Sequence, residues 1–294
     1  LFDTTYIDNY KEYLTDVRGA SVNTVSAYIR DITQFADYLH AGGKHNFTEV
    51  TEIEVRRFVS MLSAKGRSPA TVSRCLASLK AFYARMTEAG FVIGNPTEGI
   101  TSASAQKKEP RILTGDEIIS LLEQPDTSGP KGCRDKAMLE TLYATGIKVS
   151  ELTSLDLSDV NLETALITCR NGKVRTIPIY ETAVNALRDY FERSRPLFAH
   201  RGEKALFVNT AGSRMSRQGF WKVLKGYTET SIISEDISPQ MMRHSFAAHL
   251  LENGVDLHSL QEMLGHADIS STQVYARIVK SKLKDVYNKA HPRA

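Results

Sequence analysis

Apolar residues recur at spacings of three and four through the first hundred positions of the chain. Ile7, Tyr10, Leu14 and Val17 fall on one face, and Val25, Tyr28, Ile32, Phe35 and Leu39 on a second. Val55, Phe58, Val59 and Leu62 make a third stripe, and Val72, Leu76, Leu79, Tyr83 and Met86 a fourth. This period predicts amphipathic helices, each with one face to bury. Ser68-Pro69 supplies an N-cap followed by a residue preset for the first helical turn. Gly42-Gly43 and Gly66 punctuate the gaps between stripes. Four such helices predict a small bundle over residues 1–100.

The pattern then stops. Thr101 to Pro110 (TSASAQKKEP) is polar, rich in small residues and without periodicity, so 101–111 is expected to be a linker between domains. The second domain, 112–294, mixes element types. Thr114-Gly-Asp-Glu117 reads as a capping box opening a helix. Asp135 to Thr145 reads as a helix ending before Gly146. Leu166–Arg170 and Val174–Ile179 flank Asn171-Gly172, a strong short-range hairpin signal. From Thr182 the helical period returns, broken around Pro196, Gly202 and Gly212. Ser238-Pro239 opens a helix running to about Leu251, which Asn253-Gly254 closes. Leu257, Leu260 and Leu264 form a short helix before Gly265-His266, and Ser270 or Ser271 can cap a last helix containing Tyr275. The expected fold class is mostly α with a small β-sheet or hairpin: an N-terminal helical bundle and a C-terminal α+β domain.

Composition sets outer limits. The 294 residues are 41% apolar and 24% charged, enough for a real core. No apolar run reaches the roughly eighteen residues of a membrane span. Leu1 to Asn9 carries acids and no basic apolar leader, so no signal peptide is expected. Cys75, Cys133 and Cys169 are widely separated and suggest neither a disulfide framework nor a zinc site. A cytoplasmic location fits them best. The net charge of +3 says little, but its distribution says more. No acid lies between Glu54 and Glu88, while Arg56, Arg57, Lys65, Arg67, Arg74, Lys80 and Arg85 do. Such a stretch suits a surface facing phosphates, and equally a solvated helical face.

One ordered set of residues carries chemistry. Ala144-Thr-Gly-Ile-Lys-Val-Ser-Glu-Leu152 is followed by the hairpin with Lys173, then by Gln240-Met-Met-Arg243-His-Ser-Phe-Ala-Ala-His249, then by Leu264-Gly-His266, and nine residues later by Tyr275. Taken singly each is a weak signal, because a lone helical Tyr is usually core and a lone Arg usually solvated. In this order they resemble the catalytic domain of tyrosine recombinases, and within that family the Xer branch most. Ser68 to Ile100 is similar to the family's N-terminal core-binding (SAM-like) domain, and Leu250 to Tyr275 is the closest match. No extra N-terminal arm-binding domain is expected, which favours the Xer branch over phage integrases.

The resemblance implies a chemistry that the residue types can perform. Cutting a phosphodiester without a metal needs a nucleophile, cations for the charged phosphorane and an acid for the leaving 5′ oxygen. Tyr275 is the implied nucleophile. A 3′-phosphotyrosine link conserves the bond, so neither ATP nor any other cofactor is expected. Arg243 can grip two phosphate oxygens at once, and His266 can donate a hydrogen bond to one. Lys173 resembles the family's hairpin lysine, the general acid, with Arg170 as the alternative in an uncertain register. Glu151 stands where the family orients a neighbouring cation. Two positions depart from the family pattern. Lys148 replaces the first catalytic arginine and loses the planar fork; Gln240 stands where histidine is more frequent and cannot carry a proton. The chain is therefore expected to bind DNA normally and cut it slowly.

The same resemblance implies partners: double-stranded DNA held as in a clamp, and a homo- or hetero-tetramer of protomers on two DNA sites. Arg67, Arg74, Lys80 and Arg85, with Lys107 and Lys108 of the linker, are the candidate phosphate contacts. The tail Ser281 to Ala294 carries Leu283 and Val286-Tyr287, a small apolar face for docking on a neighbouring protomer or folding back on its own domain. A septal DNA translocase is a candidate regulatory partner. Chromosome or plasmid dimer resolution is the first reading. A mobile-element integrase, a type IB topoisomerase and a catalytically decayed architectural protein are the rivals.

Overall fold

The computed structural model describes residues 2–101, 109–228 and 237–290, with side chains as far as residue 280. It divides into two compact units, Leu1–Lys108 and Glu109–Ala294.

The first unit is a helical bundle: α1 (Thr5–Glu12), α2 (Val22–Ala41), α3 (Glu52–Ala64) and α4 (Pro69–Glu88). Ser68 caps α4 by accepting the Thr71 N–H, with Pro69 at the first helical position. The four apolar stripes meet in one core, where Phe35, Phe47, Phe58, Phe82 and Tyr83 are fully buried. The first stripe departs from expectation at its end. Ile7, Tyr10 and Leu14 are buried, but Val17 is 74% exposed. A π-helical turn over Tyr13–Val17 follows α1. Its wider turn rotates position 17 off the face that a 3.6-residue period would give it.

The second unit opens with α5 (Gly115–Glu123), whose capping box forms as expected between Thr114 and Glu117. Next come α6 (Pro130–Thr145) and α7 (Val149–Ser154). Helix α6 begins five residues earlier than the sequence pattern suggested, at Gly129-Pro130, because Pro suits the first turn. It ends at Gly146, whose φ of 59° is left-handed. A Cβ there would overlap the Phe246 ring, so close approach and backbone conformation both require glycine.

A three-stranded antiparallel sheet follows: β1 (Val160–Asn161), β2 (Leu166–Cys169) and β3 (Arg175–Pro178), in that order. The β2–β3 hairpin exists, but Asn171-Gly172 is not a two-residue turn. Cys169 pairs with Arg175, which leaves residues 170–174 as the loop. Alternation along β3, continued one residue past its end, buries Arg175, Ile177 and Ile179.

The remainder is helical: α8 (Glu181–Asp189), α9 (Arg195–Phe198), α10 (Arg217–Thr228), α11 (Pro239–Glu252), α12 (Leu257–Leu264) and α13 (Ser270–Ala290). Ser238 caps α11 by accepting the Met241 N–H. At the start of α13 the Asp268 carboxylate accepts the Ser270 N–H, so an Asp turn outside the helix precedes the two serines. The main core of this unit gathers apolar side chains from α5, α6, α8, α10 and the sheet. A smaller cluster holds Phe246, Ala247, Leu260, Leu264 and Tyr275. Among the described residues no helix is long and apolar enough to cross a membrane.

Candidate active site

The ends of two helices set the frame. Helices α6 and α12 both stop at a left-handed glycine, Gly146 and Gly265. Each leaves carbonyls without a partner in its last turn, at the negative end of the helix dipole. Arg243, on α11, fills both ends. Its Nη1 donates to the Gly146 carbonyl at 2.6 Å and its Nη2 to the Leu264 carbonyl at 2.7 Å. Nη2 also lies 3.0 Å from His266 Nε2. A guanidinium has five N–H donors and cannot accept, so Nε2 is the acceptor here. The other ring nitrogen, Nδ1, therefore carries the proton and donates to Thr272 Oγ1 at 3.0 Å. Two donors of Arg243 stay uncommitted among the described residues, enough for two phosphate oxygens. The side chain is 7% exposed.

His266 is held neutral. Burial, then the charges of Arg243, Lys148 and Arg175, pull its pKa from 6.5 down to about 4. Its one N–H is thus committed to Thr272, so in this arrangement His266 accepts from Arg243 and does not offer a phosphate oxygen the donor expected from the sequence.

Tyr275, on the first turns of α13, is 3% exposed. Its hydroxyl lies 2.8 Å from His244 Nδ1. Burial pushes the phenol above its ordinary pKa, opposed by the charge of Arg243. Burial and the same Arg243 charge hold His244 below its ordinary value.

Glu151, on α7, is the anion at the centre. Its carboxylate accepts the Lys148 backbone N–H at 2.8 Å and both terminal nitrogens of Arg175 at 2.8 and 3.0 Å. Arg243 Nη1 stands 4.0 Å away. Burial raises the Glu151 pKa, but Arg175, the Lys148 N–H and the Arg243 charge together outweigh it and hold the carboxyl below its ordinary value. Lys148 lies three residues before Glu151 and would share its face only if the helix began at Lys148. Instead Lys148 is the exposed N-cap of α7 while Glu151 points inward. Among the described residues no hydrogen bond or ion pair engages the Lys148 ammonium.

Lys173 is exposed in the hairpin loop, as is Gln240 on the first turn of α11. Arg170, the alternative hairpin cation, is paired with Asp159 at 2.7 Å. The structure therefore brings together Arg243, His266, Glu151 and the Tyr275 cluster, while Lys148, Lys173 and Gln240 are exposed and have no side-chain partner among the described residues.

Two residues at the site had been given no role. Arg175 ties three pieces together: Glu151, the Met263 carbonyl at 2.6 Å and the Lys173 carbonyl at 3.3 Å. Its signal was available, since an arginine in phase with Ile177 and Ile179 occupies an inward strand position. His244 stood in the quoted motif beside Arg243, but nothing local marks it as the partner of a tyrosine 31 residues on.

The candidate phosphate contacts of the first unit do not form one uniform face. Arg67 and Arg74 line a single cleft with Arg30. Arg74 is already paired with Asp31, which is 2% exposed and also accepts from Ser78 Oγ at 2.8 Å. Arg85 pairs with Glu88 at 2.9 Å and lies 4.4 Å over the Tyr13 ring. Lys80 is half-buried; six residues from Arg74, it lies about 240° around the helix. Lys107, Lys108 and the side chains of the tail lie outside the described residues.

Comparison with known proteins agrees in both units. Residues 111–282 match the phage integrase family and residues 7–90 the phage integrase N-terminal SAM-like domain. Tyrosine recombinase XerD of Oceanobacillus iheyensis is 42% identical over 293 residues, 98% of each chain. Tyrosine recombinase XerC of Roseiflexus castenholzii is 42% identical over 279 residues, 92% of this chain and 88% of that one. The crystal structure of XerA recombinase aligns over 98% of each chain at 26% identity, with a TM-score of 0.55. XerH in a post-cleavage complex with its palindromic difH substrate shares the fold, with a TM-score of 0.75 at 21% identity over 95% of this chain and 83% of that one. A chain matched through both domains, and nearly end to end by XerD, belongs to the phage integrase family and is a Xer-like tyrosine recombinase, an enzyme of site-specific recombination.

Proposed function

We propose that this chain cleaves and rejoins duplex DNA through a 3′-phosphotyrosine intermediate formed on Tyr275, in dimer resolution of the Xer type. The observation that supports this best is the linked set Leu264 carbonyl–Arg243–His266, with Tyr275 in the adjoining cluster. In this reading the two free N–H groups of Arg243 fix the non-bridging oxygens of the phosphate, His266 holds Arg243 in place by accepting from its Nη2, and electrostatic preorganisation lowers the barrier. Glu151 and Arg175 hold the surrounding loops. Lys173 gives the 5′ oxygen its proton, with Arg170 as the alternative. Lys148 is a weaker clamp than arginine, and Gln240 donates one neutral hydrogen bond.

The two units act as a core DNA-binding part and a catalytic part joined through 101–111. Protomers assemble as a tetramer on two sites, in the cytoplasm. Arg67 is the best-supported phosphate contact of the first unit, because it is exposed and unpaired among the described residues. The test is covalent attachment to a nicked duplex carrying a candidate resolution site. An adduct that forms with the native chain or with Lys148→Arg, and vanishes when Tyr275→Phe is added, is expected. Specific binding with no adduct in any version would support a decayed, architectural protein instead.

A further inference from the structure

Attack by Tyr275 requires its phenolic proton to go somewhere, and the position where the family more often has histidine holds Gln240. An amide cannot take up that proton. One helical turn further along α11, on the same face, stands His244. Its Nδ1 is 2.8 Å from the Tyr275 hydroxyl, and the two ring centroids are 5.5 Å apart. The phenol has no other hydrogen-bond acceptor among the described residues. It therefore donates to Nδ1, and His244 carries its own proton on Nε2.

We infer that His244 is the proton acceptor for Tyr275, a catalytic residue of this chain acting in place of Gln240. The inference rests on the recombinase reading above. In the forward step the bond from Tyr275 Oη to phosphorus forms as the bond from phosphorus to the 5′ oxygen breaks. The phenolic proton passes to Nδ1, leaving an imidazolium, and the 5′ oxygen leaves with a proton from the general acid, Lys173 in our reading. Rejoining runs the same transfers backwards, with no redox change and no further reactant. His244 faces Tyr275 on α13, Arg243 on its own helix, and His266 on the α12–α13 connection. On the α6 side Tyr143 is bonded to His249 at 2.8 Å. Burial and the Arg243 charge keep the imidazole neutral, and so able to accept, at neutral pH. Burial raises the Tyr275 pKa, and the Arg243 charge opposes that rise in part.

The test follows adduct formation under single-turnover conditions from pH 5 to 9 on the nicked duplex, in the full chain. Four versions are compared: native, Lys148→Arg, His244→Asn and His244→Ala. Asn places an amide oxygen near the position of Nδ1 and preserves the hydrogen bond without taking the proton. General-base catalysis contributes about 10²–10⁴ in rate. His244→Asn is therefore expected to slow attachment by at least ~10² and to lose the acid limb of the pH profile, with non-covalent DNA affinity unchanged. His244→Ala should be slow as well and should recover in part with added imidazole. Attachment by His244→Asn at the native rate with the native pH profile would reduce His244 to packing and overturn the inference. Slow His244→Ala protein that binds DNA normally but is not rescued by imidazole would count against it too. Failure of all four versions to form an adduct would instead overturn the recombinase reading beneath it.

Discussion

Arg175 and Glu151 are joined by two parallel hydrogen bonds of 2.8 and 3.0 Å, with only 6% and 7% of their side chains exposed. This pair fastens β3, the second strand of the hairpin, to the helix that Lys148 caps. Removing Arg175 leaves the buried Glu151 carboxylate with only Arg243, 4.0 Å away, as a cationic neighbour, whereas removing both residues leaves Arg243 buried without that anion. Arg175→Met is expected to lower stability by about 3–5 kcal/mol, and Arg175→Met with Glu151→Met to recover only part of that loss, because Arg243 then loses its buried anion. Denaturant midpoints of the two variants check this. A double variant no better than the single would show that the pair's worth lies elsewhere.

The same pair sets an acid limit. The folded Glu151 pKa lies below its ordinary value near 4.5, so the unfolded chain binds the proton first. The stability that this group contributes is complete above that ordinary value and is lost as pH falls through the depressed folded value. His266 acts in the same direction over a higher window. Its folded pKa of about 4 lies below 6.5, so stability falls as pH drops from about 6.5 towards 4. Unfolding free energies measured from pH 7 to 3.5 should show a steeper decline in the native chain than in His266→Gln. Equal slopes above pH 4 would mean that His266 is not held neutral.

Lys148 keeps its positive charge at the mouth of the site but has no planar fork with which to hold two oxygens. Lys148→Arg is expected to raise single-turnover DNA attachment by roughly 10²–10³, with little change in affinity. Gel quantification of the tyrosyl adduct against time decides it, and an unchanged rate would show that the ammonium already suffices.

Gly265 separates α12 from His266 at a φ of +64°, and a Cβ there would come within 2.9 Å of the Arg175 guanidinium. Gly265→Ala should therefore cost about 1–2 kcal/mol from the left-handed backbone alone, and more through displacement of Arg175. Its rate of adduct formation should fall even at temperatures where it stays folded. Thermal melting beside the attachment assay separates the two effects; a fully active, fully stable variant would contradict the packing described.

In the first unit, Arg67 and Arg74 line one cleft but should behave differently. Arg67→Ala is expected to leave stability unchanged and to reduce the salt slope of DNA binding by about 1. Arg74→Ala strips a buried Asp31 of its cation and should destabilise the fold by roughly 1–3 kcal/mol. Binding isotherms at several salt concentrations, run with melting curves, tell a phosphate contact from a structural one.

Much of this protein was determined by local sequence. Helix boundaries at Ser68-Pro69, Thr114–Glu117 and Ser238-Pro239 were legible because capping involves residues three apart. The order of Arg243, His266 and Tyr275 was legible as motif. Other features needed the third dimension. Val17 left its stripe because a π turn changes the period. Residues 170–174 became the hairpin loop because pairing of Cys169 with Arg175 set the register, not the Asn-Gly step alone. The bonds from Arg175 to Glu151, from His244 to Tyr275 and from Arg243 to two helix ends join residues 21 to 97 positions apart. Local propensity carries no information about such meetings: they are decided when helix ends with unpaired carbonyls and buried charges must find partners away from water, and only the packed chain says which partner is within reach.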